Sequence, residues 1–293
     1  MRPRELIAGI WTVIVAWQEL SMPADRPSRC GRQGWRLWHG RGVRLTLLAL
    51  LATATSSAAA QQNVANNPLT DIPEIQVQNY LQPVLNGQPG SGFNQPFLRG
   101  VLPHDAFGWR QLMRASMAAG TTTWGPAGSE SGLGDLTIYD VLLVDVANAR
   151  MGVGPLAILP TATSPALGER KWQFGAQGVV SAPYQWGLLA ALVAYQQAFD
   201  GSARSLSVQP FLFYNLAEGF YLRSSGITTV DLSRQTAVVP VGLGLGRAVR
   251  LGNGNVLNMY LEPQYSVVQN GVGQPGFQVF AGFNIQFPPN RGP

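Results

Sequence analysis

Cysteine is nearly absent from this 293-residue chain. The single copy, Cys30, lies in the first sixty residues, so residues 61–293 can form neither a disulfide nor a thiolate metal site. Histidine occurs only as His39 and His104, and lysine only as Lys171. That leaves no histidine pair for zinc and no phosphate-loop lysine in its glycine context, so no cofactor is expected. Charge is scarce as well, at 12% of residues against a typical quarter. The net +5 belongs entirely to residues 1–60, because residues 61–293 carry twelve basic and twelve acidic side chains. The basic balance therefore implies no nucleic-acid partner. No apolar run in residues 61–293 reaches the 18 residues at which a spanning helix becomes a candidate.

The first sixty residues read as a targeting segment. Leu45 to Thr55 is a short apolar core, preceded by Arg36, Arg41 and Arg44 and followed by Ala58-Ala59-Ala60. This is the tripartite order of a cleavable secretory signal, with cleavage expected after Ala60. A second apolar run, Leu6 to Trp17, is also too short to span a bilayer. Translation is expected to start downstream of Met1, at Met22, with the preceding residues an extension.

What residues 61–293 do contain is alternation. From Phe277 to Phe287 every odd position is apolar, and four of the five even positions between are polar or glycine. Successive strand side chains face opposite ways, so this segment has one apolar and one wet face. Its length fits the roughly 9–11 residues of a tilted strand crossing a bilayer. Leu257, Met259, Leu261, Tyr265 and Val267 repeat the pattern opposite Asn258, Tyr260, Glu262, Gln264 and Ser266. Twelve strands are expected, near 75–85, 94–103, 109–120, 133–146, 150–161, 171–182, 186–198, 204–216, 219–231, 236–250, 255–268 and 276–287. The wet face is built from Gln, Asn, Ser and Gly rather than from charge, which suits a lumen better than the surface of a soluble sandwich. The fold class expected is an all-β, transmembrane, antiparallel up-and-down β-barrel of about twelve strands in the bacterial outer membrane. It spans 75–287, between a flexible lead-in (61–74) and a short tail (288–293). Pro210, Pro240 and Pro263 fall inside strands, where each removes a ladder donor, and are expected at bulges or interrupted pairing.

Charges inside strands must avoid lipid, where an Arg or Lys at mid-membrane costs about 2–4 kcal/mol. The lumen or constriction candidates are therefore Arg99, Arg110, Arg114, Asp135, Asp140, Lys171, Gln209, Glu262 and Gln264. They can equally form a structural network that fills and rigidifies a narrow barrel. Tyr214, Phe220, Tyr221, Tyr265, Phe283 and Phe287 lie towards strand ends, where an interfacial belt is expected; an aromatic-binding cage uses the same residue types. His104, beside Pro103 and Asp105, reads as a rim residue rather than a catalytic one. Gly271-Val272-Gly273-Gln274-Pro275-Gly276 has dinucleotide-loop spacing but lies between two strands, so it reads as a hairpin turn.

Several segments occur in an order that resembles a known family. They are Ser131-Gly132-Leu133-Gly134-Asp135-Leu136, Gly154 to Thr163, Leu167 to Gly175, Gln209-Pro210-Phe211 and Glu262-Pro263-Gln264-Tyr265. Together, over residues 75–287, they resemble the outer-membrane β-barrels labelled meta-pathway phenol-degradation proteins, often described as transporters. The resemblance implies passive passage of small, hydrophobic or aromatic compounds by a non-enzymatic, porin-like barrel. Its partners would be outer-membrane lipid, the barrel-assembly machinery and a small-molecule solute. A structural or adhesive barrel with a plugged lumen and a lipid-modifying barrel enzyme are the alternatives. The chain departs from the family in continuing past the aromatic Phe287 to Pro293.

Overall fold

A computed structural model describes residues 61–289. The expected signal segment, Cys30 and residues 290–293 lie outside the described residues. The described chain forms fourteen strands: β1 (Glu74–Leu85), β2 (Gly92–Ala106), β3 (Trp109–Gly125), β4 (Gly128–Val146), β5 (Ala149–Leu159), β6 (Gln173–Tyr184), β7 (Gly187–Ala198), β8 (Arg204–Asn215), β9 (Phe220–Ser224), β10 (Thr228–Asp231), β11 (Thr236–Gly242), β12 (Gly244–Arg250), β13 (Val256–Asn270) and β14 (Pro275–Gln286). All pair antiparallel, and β1 pairs with β14 in the register Ile75↔Ile285, Tyr80↔Phe280, closing the sheet on itself.

The fourteen segments occupy twelve wall positions, as the alternation predicts. Both β9 and β10 pair with β8, and both β11 and β12 pair with β13. The ninth and tenth expected strands are thus each broken once, at Ser225–Ile227 and at Leu243. The prolines account for the break. Pro210 in β8 and Pro263 in β13 fall where those strands have no partner on the interrupted side, and Pro240 sits at a register shift in β11. A residue without an N–H donor costs least where the ladder already has no acceptor for it.

Side-chain direction inverts the usual arrangement. On β14, Gln278, Phe280, Asn284 and Gln286 are buried inside, while Phe277 and Phe283 are exposed outside. Leu98, Leu102, Val144, Val153, Val193, Leu261 and Val267 extend the exposed apolar surface around the wall. Aromatics gather at its two edges. Tyr184, Trp186 and Tyr214 stack in sequence at one edge, and at the other Trp172 stacks on Phe174 with Phe199 tilted against it. The interior is not uniformly polar. Val101, Leu112, Tyr139, Val141, Leu156, Val179 and Leu192 form an apolar inner wall on β2 to β7.

The lead-in expected to be flexible is instead seated inside the barrel. Residues 61–66 are helical, and Ala65 and Leu69 are buried. Leu69 packs into the apolar inner wall, and Ala65 packs against Ala248 and Val256. Burial of these side chains and the hydrogen bonds described below offset the entropy that a free segment would keep.

Gly246 shows how tightly the interior is fitted. It lies opposite Tyr221 in the β9–β12 pairing, and a Cβ there would come within 2.2 Å of the Tyr221 ring. The ring covers the glycine, the cross-strand arrangement in which an aromatic fills the place of a missing side chain. Gly246→Ala is expected to destabilise the barrel by about 1–3 kcal/mol through overpacking. Urea titration of the folded protein in detergent checks this, and an unchanged midpoint would show that Tyr221 can swing away.

Candidate functional site

The interior has three levels. At the end where β1 begins and β14 ends, residues 61–73 cross the mouth. Gln62 Nε2 donates to the carbonyls of Leu216 (3.1 Å) and Phe220 (2.8 Å), and Asn63 Nδ2 to that of Tyr184 (2.8 Å). Asn258 Nδ2 donates to Ala65 O at 3.2 Å and to Asn66 Oδ1 at 3.1 Å, and Gln286 Nε2 to Val64 O at 3.3 Å. Asp71 then bridges Arg110, at 3.3 Å, and Arg150 on the rim.

At mid-height, buried polar and aromatic side chains converge. Glu262, fully buried, accepts from Arg223 Nε at 2.8 Å, from Ser225 N and Ser225 Oγ at 2.7 Å, and from Gln264 Nε2 at 2.8 Å. Ser225 lies in the break between β9 and β10, and its carbonyl accepts from Gln209 Nε2 at 3.0 Å. The interruption of the wall thus leaves backbone groups that side chains satisfy. The Arg223 guanidinium stands 3.7 Å from the Tyr260 ring centroid and 5.0 Å from that of Phe280. Phe280 stacks on Tyr80 at 4.3 Å, and Tyr80 meets Phe97 edge-on at 6.2 Å. Arg99 and Arg114 lie over Phe97 and Tyr139, at 4.7 Å and 4.8 Å. Between this level and the mouth is a cavity of about 80 Å³, lined by Arg99, Arg114, Arg223, Tyr260, Phe280 and Asn258 among others.

Above it, a chamber of about 460 Å³ lies between Tyr80, Phe93, Phe97, Ile227, Val238 and Gln278.

Comparison with solved structures matches this geometry. The COG4313 outer membrane channel from Pseudomonas putida F1 superposes with a TM-score of 0.57 at 16% identity, covering 74% of this chain and 94% of that one. The chain has the fold of an outer-membrane β-barrel. An anion-selective porin from Comamonas acidovorans is more distant, with a TM-score of 0.35 at 9% identity over 74% of this chain and 98% of its own. No family model and no curated protein matches the sequence. The end where β1 begins and β14 ends has turns of two to five residues, the short connections by which the periplasmic end of such barrels is assigned. The longest connection, 160–172, lies at the extracellular end.

Of the nine candidate lumen residues, the outer-membrane barrel brings five together inside: Arg99, Arg114, Gln209, Glu262 and Gln264. Four require correction. Asp140 faces outward, because Tyr139 and Val141 on either side of it are buried inward. It is tolerated there by pairing with His104 Nε2 at 3.1 Å. Asp135 accepts from the backbone N–H of Ala162 at 3.0 Å and of Arg170 at 3.1 Å, so it anchors the 160–172 connection. Lys171 pairs with Asp200 at 3.4 Å on the extracellular rim, where hydrogen bonds from Ser202 hold the Asp200 carboxyl below its ordinary range. Arg110 is at the periplasmic rim, between Asp71 and Asp105.

Among the aromatics, Tyr214, Tyr265, Phe283 and Phe287 are exposed outside as a belt requires. Phe220 is half-buried, with Arg247 over its ring, and Tyr221 departs from the belt altogether. Tyr221 is fully buried and donates to Asn258 Oδ1 at 2.6 Å. Arg223, Ser225 and Glu74 belong to the interior network and do not stand out in the sequence. Arg223 shares strand parity with Tyr221, but the broken strand hides the alternation that would place either one inside.

Proposed function

We propose that the barrel is a passive channel for small, hydrophobic or aromatic compounds. The observation that carries this reading is the extracellular chamber, where Phe93, Phe97, Ile227, Val238 and Pro240 stand among glutamines such as Gln82 and Gln95, and which leads down to the arginine and aromatic side chains of the constriction. Apolar walls with a few convergent polar groups suit a solute with an apolar body. Twelve strands fall between the eight that leave room only for side chains and the sixteen that leave an open aqueous pore. Passage is governed by how far residues 61–73 vacate the periplasmic mouth. Inclusion in the meta-pathway phenol-degradation group is supported by the ordered segments of the sequence. Two of them, Gln209-Pro210-Phe211 and Glu262-Pro263-Gln264-Tyr265, flank the interrupted wall.

Two measurements test the reading. In planar bilayers the protein is expected to give discrete current steps, with conductance or ion selectivity altered by Arg114→Ala. Unchanged currents in that variant would remove Arg114 from the passage. In intact cells, uptake of a hydrophobic aromatic is expected to depend on the protein more than uptake of a sugar of similar size. The reverse dependence would reject the solute class. The seated segment 61–73 also favours a second reading, a structural barrel with a plugged lumen. Absence of current both with and without that segment would select it.

A further inference from the structure

We infer that Arg99 and Arg114 form a binding site for an organic carboxylate whose apolar body rests against the aromatic stack of the lumen. This deepens the channel reading and rests on it for the solute's access to the interior.

Three arginines point into the mid-lumen, and their circumstances differ. Arg223 is committed: it pairs with Glu262 and donates to Ser225 Oγ at 2.7 Å. Arg99 and Arg114 have no carboxylate within ion-pairing distance among the described residues. Arg99 donates to the amide oxygen of Gln78 and lies over Phe97, and Arg114 lies over Tyr139. The Nε atom of each is buried without an acceptor, and so is the hydroxyl of Tyr80. The other inward carboxylate, Glu74, is engaged by Gln76, by Asn284 at 2.9 Å and by Gln286 at 3.0 Å. The mid-lumen therefore carries two arginines with no carboxylate at ion-pairing distance among the described residues, Glu74 acting on Arg114 only from further off.

Their placement gives the site its shape. Arg99 opposes Ser116 and Arg114 opposes Val101, so the two arginines are diagonal neighbours on one face of the β2–β3 ladder. Diagonal positions are roughly 7–8 Å apart at the backbone, within reach of a shared ligand for side chains of this length. Two like charges held together away from bulk water are costly until an anion joins them. A carboxylate offers two oxygens in a plane and accepts from guanidinium donors in matching geometry. Both arginines line the small cavity, and Arg99 also lines the chamber of about 460 Å³ together with Tyr80, Phe93 and Phe97, which gives the rest of the ligand an apolar surface and room.

The test is calorimetric titration of the folded protein in detergent with benzoate, acetate, benzyl alcohol and benzylamine. Benzoate is expected to bind, acetate more weakly, and the neutral and cationic analogues not measurably. Arg99→Gln and Arg114→Gln should each weaken benzoate by about tenfold or more, the effect of one charge-assisted hydrogen bond. Arg250→Gln, at the exposed end of β12, should leave binding unchanged. Equal binding of benzoate and benzyl alcohol would overturn the site, and that comparison holds on the unaltered protein even if an arginine variant fails to fold. Equal binding of acetate and benzoate would overturn the aromatic half. Bilayer currents separate this from the channel reading. Benzoate binding without current sinks the channel and keeps the site, and current with no benzoate binding does the opposite.

Discussion

Glu262→Ala is expected to cost the barrel about 3–5 kcal/mol, the range for removing one partner of a buried ion pair. Glu262 is wholly buried and Arg223 nearly so, and the pair closes at 2.8 Å. Removing the carboxylate leaves the Arg223 guanidinium with Ser225 Oγ and the surrounding aromatic side chains but no anion, and leaves the Ser225 N–H without its acceptor. Each orphaned donor adds a desolvation cost of about 1–3 kcal/mol, which is why the loss exceeds that of a surface pair. Glu262→Gln keeps an acceptor for Ser225 and should cost less. Urea titration of the folded protein in detergent reads the difference. A loss below about 1 kcal/mol in Glu262→Ala would mean that lumen water solvates the cluster as it would a surface pair.

Deleting residues 61–72 is expected to raise single-channel conductance severalfold while leaving the wall intact. The segment closes the periplasmic mouth through bonds to carbonyls at the strand ends and through Leu69 and Ala65 in the interior, and it forms no part of the sheet ladder. A point substitution should do far less. Asp71 holds Arg110 and Arg150 in half-exposed pairs, each worth roughly 0–1 kcal/mol, so Asp71→Ala leaves the seat mostly made. Planar-bilayer recordings of the two variants side by side distinguish the cases. Equal conductance of the deletion and the full chain would place the restriction at the arginine and aromatic level instead.

How far the sequence discloses this depends on what each feature needs. Strand alternation is local, so the odd–even pattern from Phe277 to Phe287 gives the twelve wall positions and the inward face of Glu262 and Gln264 directly. The prolines mark the breaks in the wall for the same reason, since a missing N–H must meet a missing partner. Asp140 is misplaced by the rule that charge avoids lipid, because the rule does not see that His104, two strands away, supplies a partner on the outer wall. Asp135 is misplaced because its role is to hold backbone 27 and 35 residues downstream. Tyr221 and Arg223 escape because the four-residue connection 216–219 and the interruption at Ser225 leave β9 only five residues in which to show a period. The seating of residues 61–73 has no local signal at all. Its polar composition reads as a linker until the carbonyls of Leu216 and Phe220 are brought to it.

That seating also sets an order of events. The partners of Gln62, Ala65 and Val64 lie on residues 216, 220, 258 and 286, more than 150 positions later in the chain. The first described residues to be synthesised thus wait on the last. They can find their place only when β14 has met β1, so occupancy of the mouth doubles as a signature of completed closure, and a barrel lacking its final strands would show its unfinished state as an untethered N-terminal segment open to protease.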